Sequence, residues 1–245
     1  MKTRKELKTE AKHLLVGNWG TAIKLNIFNI LGSIFVTMVL VIATSAFAYF
    51  VWHSGDRSFS SYFDLKGSSP TTDSDHYGSI IGDLITTYFI LSVQFTMIKW
   101  VRTKQATETP FKDAFSAFRV DVPGIFVLFI LQRIWTFLWG LLLVIPGIIK
   151  SYSYSMTYFI FKDAHDAGKT GQFQYTNYVT LSRKLMDGHK WEYFLLQLSF
   201  LGWNILGWLT LGIAFIWIAP YKQMTYMNYY ANLVDGHDFA EDLKK

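Results

Sequence analysis

Arg133 is the residue whose chemistry most needs explaining. It stands about eleven residues into an apolar run that begins at Val122, with Gln132 beside it. If that run crosses a membrane, a charge at mid-depth costs ~2.5–3.5 kcal/mol on insertion scales and must face other helices or water. Proton loss gives no relief, because a guanidinium keeps its proton below a pH of about 12. Asp83 is the best acidic partner inside the apolar runs. Two roles are open to the pair: an ion or anion contact in a polar cavity, or a structural link between neighbouring helices. Ser151, Tyr154, Ser155, Tyr158 and Lys162 recur at helical spacing in one later run, and Tyr221, Thr225, Asn228 and Asn232 in the last. Neither stripe suits lipid. They line a hydrated cavity open to the cytoplasm, or they form helix–helix hydrogen bonds and interface anchors.

Other reactive groupings are sparse. Asp163, His165 and Asp166 could ligate a metal, but such a stretch in a loop is far more often solvated polar sequence. His189-Lys190 reads as a helix boundary with a headgroup contact before it reads as a base. Nucleophile elbows, zinc-protease helices and paired intramembrane aspartates are missing from the sequence. It has no cysteine, which excludes disulfides, thiol catalysis and Cys-bound metals. No enzymatic chemistry, metal or cofactor is expected.

These residues need elements to hold them, and composition names the class. The 245 residues are 51% hydrophobic and 18% aromatic, with a mean hydropathy of +0.21. The apolar residues gather in long blocks, with Trp and Tyr near block ends, as in a membrane protein. Six transmembrane spans can be drawn, at 25–52, 79–99, 122–145, 148–161, 191–209 and 213–233. Pro146-Gly147 signals the turn between the third and fourth. The apolar stretch 191–219 is too long for one span, and Leu209–Gly212 is where a turn would divide it. Pro220 inside the sixth span marks a hinge or a packed kink. The first block is too late and too long for a signal peptide.

Nineteen of the twenty-three Lys and Arg fall on one side of this arrangement and three on the other, with Arg133 left within a span. The positive-inside rule then puts both termini in the cytoplasm and the polar stretch 53–77 outside. The net charge of +5 fits loops facing anionic lipid; nothing resembles a nucleic-acid reader or a phosphate loop. The expected fold is therefore all-α, one integral membrane domain over 1–245. Its parts are an amphipathic cytoplasmic N-terminus (1–24), six helices in three hairpins, the outer loop (53–77) and a cytoplasmic tail (234–245).

A short amphipathic stretch precedes each hairpin. The first carries Leu7, Ala11, Leu14 and Leu15, the second Phe111, Ala114, Phe115 and Phe118, with Thr109 and Pro110 as N-cap and N1. The third carries Tyr175, Val179, Ser182, Leu185 and Met186. Such helices lie in the membrane interface or serve as small packing helices; the interfacial reading is preferred. An offset of 68 residues lays Met156-Thr157-Tyr158 on Met224-Thr225-Tyr226, Gly168 on Gly236, and 111–118 on 179–186. The stretch 12–19 resembles 183–191, with Gly17 matching Gly188. Three tandem units are expected, each a leading helix followed by a hairpin.

Four segments together carry a family resemblance: ELKTEAKHLLVGNWGTAI from Glu6, IPGIIKSYSYSMTYFI from Ile145, LSRKLMDGHKWEYFLLQLSFLGW from Leu181 and TLGIAFIWIAPYKQMTYMNYY from Thr210. The chain resembles the bacterial integral-membrane family catalogued as domain of unknown function nine-seven-five, common in Gram-positive bacteria. The resemblance implies a fold class and a plasma-membrane location, and no activity or site residues. The leading expectation is a non-enzymatic membrane protein, transport-like or an envelope accessory, with a cytoplasm-facing polar cavity. Its alternative is a structural or interaction module that recruits lipids or membrane partners.

Overall fold

The structure is a computed structural model and describes residues 2–53, 74–142, 144–169 and 173–235. Every regular element among them is a helix. In chain order these are α1 (Arg4–Leu15), α2 (Trp19–His53), α3 (Ser74–Thr103), α4 (Pro110–Asp113), α5 (Ala117–Val120) and α6 (Val122–Leu142). They continue with α7 (Val144–Tyr154), α8 (Thr157–Asp166), α9 (Tyr175–Leu185), α10 (Lys190–Leu198), α11 (Leu201–Leu209) and α12 (Phe215–Asp235). Most of the expected outer loop, 54–73, and most of the tail, 236–245, lie outside the described residues, as does Gly236.

Two expected spans are each broken in two. The fourth divides at Ser155-Met156, where the Ser182 hydroxyl enters from α9. It donates to the Ser153 carbonyl at 2.8 Å and accepts from the Met156 N–H at 3.2 Å. A side chain inserted into the helical ladder replaces backbone bonds and ends the helix locally. The fifth divides at Ser199-Phe200, where Lys8 Nζ from α1 donates to the Ser199 carbonyl at 3.2 Å. The turn between the third and fourth spans comes earlier than expected. Pro146 and Gly147 already sit in the first turn of α7, where a missing N–H costs nothing. Gly147 serves close approach instead: a Cβ there would come within 3.1 Å of Gly140 Cα on α6. The expected turn near Leu209–Gly212 is present, with Leu211 and Gly212 at φ 51° and 91°.

The leading helices turn their small or apolar faces into the bundle. Thr3 and Glu6 form a reciprocal capping box that starts α1. Leu7, Ala11 and Leu15 are then buried, and α1 lies on α12. Between Thr109 and Val120 the expected single helix is two short turns, α4 and α5. Ala114 and Ala117 face inward while Phe111, Phe115 and Phe118 remain exposed. These turns sit on α3, where Ser92 Oγ accepts from the Ala117 N–H and the Ser92 carbonyl from Ser116 Oγ. Thr109 stands at the N-cap position but makes no capping bond; its hydroxyl donates to Asp113. The third leading helix, α9, buries Tyr178, Ser182 and Leu185 against α7 and α8. Each leading helix is therefore seated on the outgoing helix of another hairpin, and α1 closes the ring on α12.

Packing differs along the bundle. The core gathers at the end that holds the leading helices, here the base, around α12, which packs on α1, α2, α3 and α11. Toward the other end, the rim, apolar side chains are open: Leu141 is 76% exposed and Leu209 77%. On α11 the exposed residues Leu201, Trp203, Ile205, Leu206 and Trp208 cover more than half of the circumference, and buried Gly207 marks the face toward α12. Among the described residues, Asp83–Thr103 and Val122–Leu141 are long and apolar enough to cross a membrane.

Candidate functional site

The predicted partners meet. Arg133 Nη2 donates to Asp83 Oδ2 at 2.7 Å, linking α6 to α3, and the guanidinium lies 5.1 Å from the Phe129 ring centroid. The expectation that Arg133 would be enclosed by the bundle is corrected. Its side chain is 58% exposed and that of Asp83 51%. The exposure has a definite direction. Ile125, Leu128 and Phe129 are the buried stripe of α6, and Arg133 follows Phe129 by one turn on that stripe. The pair lies beyond the buried part of α6, where no residue from Ile130 to Leu141 is buried. Gln132, its neighbour, donates to the Tyr154 carbonyl at 2.8 Å and ties α6 to α7.

Of the other predicted polar residues, Tyr158 lies within reach of the Arg133 charge, and Ser155, Thr225 and Asn228 bond elsewhere. Ser155 Oγ donates to the Tyr152 carbonyl and Thr225 Oγ1 to the Tyr221 carbonyl, both within their own helical turn. Asn228, buried in α12, donates to the Leu7 carbonyl and to Glu10 of α1, each at 3.1 Å. Tyr158 is half-buried and packs on the core. The stripes on the fourth and sixth spans serve helix bonding.

The Asp163–Asp166 stretch is structural. Asp163 takes both Arg102 guanidinium nitrogens, at 2.7 and 2.8 Å, and the Tyr230 hydroxyl at 2.7 Å. This clamp joins the outgoing helices of all three hairpins, α3, α8 and α12, at the base. Asp166 pairs with Lys162. Among the described residues, no group of three or more His, Cys, Asp or Glu is gathered for a metal. Sequence reading missed the clamp, although one signal was visible: Arg102 and Asp163 each stand just past an apolar run, where hairpin ends converge.

A second charged knot holds α1. Glu10 bonds Lys2 at 2.6 Å, Lys104 at 2.8 Å and Asn228. Burial alone would raise its pKa, but the hydrogen bonds from Lys104, Lys2 and Asn228 outweigh it and hold the carboxyl down at about 2.

The model of the family described as "Protein of unknown function (DUF975)" matches residues 1–149 and 141–236. The chain belongs to this family. The two matched stretches cover all twelve helices and overlap across the α6–α7 junction. Both residues of the ion pair and all three of the clamp therefore lie in family sequence. No curated protein and no solved structure matches the chain.

Proposed function

We propose that this chain is a multi-pass bacterial plasma-membrane protein without enzymatic chemistry, transport-like, which admits a ligand from the rim to Arg133 and Asp83. The observation that carries this is the half-exposed ion pair between two apolar helices, one turn beyond the buried Phe129. A charge pair set in apolar helices needs water or a polar ligand around it, and the exposure of both side chains leaves them open to either. Membrane embedding draws support from α11, whose large apolar residues are exposed over more than half of the helix surface. The six-span reading treats α7–α8 and α10–α11 as broken helices, which membrane proteins tolerate where side chains satisfy the freed backbone. By the count of basic residues the base is cytoplasmic and the rim external. The seating of each leading helix on another hairpin, together with left-handed Gly17 (φ 80°) and Gly188 (φ 77°) after α1 and α9, supports three tandem units in a closed ring.

The chain has no native cysteine, so an Arg133→Cys variant carries a single thiol. In intact cells it reacts with a membrane-impermeant cationic thiosulfonate if the pair is bathed in water and open outward. Failure to react in folded, membrane-inserted protein overturns the reading. The alternative, a module that recruits lipids or membrane partners, is favoured by α11, whose exposed Trp203 and Trp208 offer an adhesive surface. It predicts that Trp203→Ala with Trp208→Ala disrupts copurification of partners while Arg133 variants do not.

A further inference from the structure

We propose that the basic edge of α1, where Arg4 and Lys8 meet the α10–α11 junction, binds an anionic phospholipid of the cytoplasmic leaflet. Arg4, Lys8 and Lys12 stand four residues apart and so form one column along α1, with Lys5 beside it. Glu6 and Glu10 lie on the opposite edge, across the buried stripe of Leu7, Ala11 and Leu15. Both carboxylates are taken there. Glu6 closes the capping box with Thr3, and Glu10 holds Lys2, Lys104 and Asn228. Among the described residues, none of the four cations on the basic edge has an acidic partner. Like charges one turn apart on a helix repel. Burial, and then the nearby Arg4 charge, lower the Lys8 pKa. An anion on this edge relieves that repulsion.

Lys8 fixes where that anion sits. Its Nζ donates to the Ser199 carbonyl at 3.2 Å and lies 4.2 Å from the Phe200 ring centroid, at the break between α10 and α11. One bond to a neutral carbonyl leaves an ammonium with N–H groups to spare. Arg4, one turn away, is exposed and presents the planar fork that matches phosphate oxygens. The residues flanking the break are apolar and open: Leu198 is 48% exposed and Leu201 53%.

These two surfaces select the ligand. A phosphate on Arg4 and Lys8, with hydrocarbon along Leu198 and Leu201, satisfies both at once. A free anion leaves the leucines uncovered, and a zwitterionic lipid brings its own cation against the column. The ligand class is therefore a phosphodiester lipid with net negative charge. Bound there, it fastens α1 to the α10–α11 break, beside the seat of α1 on α12. This inference rests on the membrane reading above, with the base cytoplasmic.

Full-length protein in detergent, titrated with phosphatidylglycerol or phosphatidylcholine and read by native mass spectrometry, tests the site. The wild type should retain phosphatidylglycerol in preference to phosphatidylcholine. Arg4→Gln should weaken that retention about fivefold, and Arg4→Gln with Lys8→Gln about thirtyfold, from the attraction of each basic residue to an anionic headgroup. Arg183→Gln, which removes an exposed charge from α9, should change it little. The exposed Arg4 side chain carries no ion pair, so its single variant reads binding even where loss of the Lys8–Ser199 bond disturbs the double variant. Equal retention of the two lipids, unchanged retention in Arg4→Gln, or an equal loss in Arg183→Gln would overturn the site. Inorganic phosphate that raises the thermal midpoint as much as phosphatidylglycerol would assign a free anion and equally overturns it. A chain recovered from cells without detergent fails the membrane reading itself, whereas an embedded chain indifferent to headgroup charge fails this inference alone.

Discussion

Ser182 Oγ donates to the Ser153 carbonyl at 2.8 Å while accepting the Met156 N–H, and this one hydroxyl both ends α7 and fastens α9. Ser182 is fully buried. Ser182→Ala therefore strands a buried carbonyl and a buried N–H together. We expect a loss of ~2–3 kcal/mol, read as a lower thermal midpoint in detergent. Ser182→Thr keeps the hydroxyl and should lose much less. Equal losses in the two variants would show that packing volume, not the bond, matters here.

The base clamp is tested through Asp163. Asp163→Ala leaves the buried Tyr230 hydroxyl and the Arg102 guanidinium without their shared acceptor. Arg102 is partly exposed and can turn to water, which moderates the cost to ~2–4 kcal/mol. Asp163→Asn keeps one acceptor oxygen and should fall between Ala and wild type. Limited proteolysis at the base, in the segment joining α8 to α9, reads the loosening directly. Unchanged cleavage in Asp163→Ala would remove the clamp from the structure's supports.

Glu10 gives a pH dependence with a fixed sign. Its folded pKa, held down at about 2 by the bonds from Lys104, Lys2 and Asn228, lies below the ordinary glutamate value of 4.5. The stabilisation is present in full above about pH 4.5, and is lost as pH falls toward 2. Docking of α1 should weaken across that window, seen as faster amide exchange in Leu7–Leu15. Glu10→Gln should show the loosened exchange already at pH 7, with a flat profile below. A profile that is the same in wild type and variant would discount the knot.

Topology can be checked with single cysteines in the native background. A cysteine at Ser68 should react with an impermeant maleimide in intact cells, while one at Thr103 or Ala240 should react only after lysis. Labelling of Thr103 from outside would reverse the orientation.

The Arg133 pair separates the two functional readings genetically. Arg133→Leu or Asp83→Leu alone leaves one charge without its counterpart, and each should reduce folded yield severalfold. The double variant should regain folding under either reading. A growth or transport phenotype that persists in the well-folded double variant supports ligand handling; full recovery of function supports a structural pair.

The sequence by itself determined the helical class, the family, the Arg133–Asp83 partnership and the turn before α12. Each follows from a local rule: apolar run length, the cost of a lone charge, or turn residues in an apolar stretch. Tertiary structure alone decided where helices break and what the polar stripes do. Ser155-Met156 and Ser199 look like ordinary helix interior until Ser182 reaches the Ser153 carbonyl and the Met156 N–H, and Lys8 the Ser199 carbonyl, from distant parts of the sequence. Asn228 reads as a cavity-lining amide until α1 offers the Leu7 carbonyl. The depth at which packing loosens was equally illegible, because periodicity ranks the faces of a helix but does not say how far along it burial extends. That depends on side-chain volumes meeting across the bundle: Tyr, Phe and Met interlock at the base, while Leu141 and Leu209 near the rim stay largely exposed.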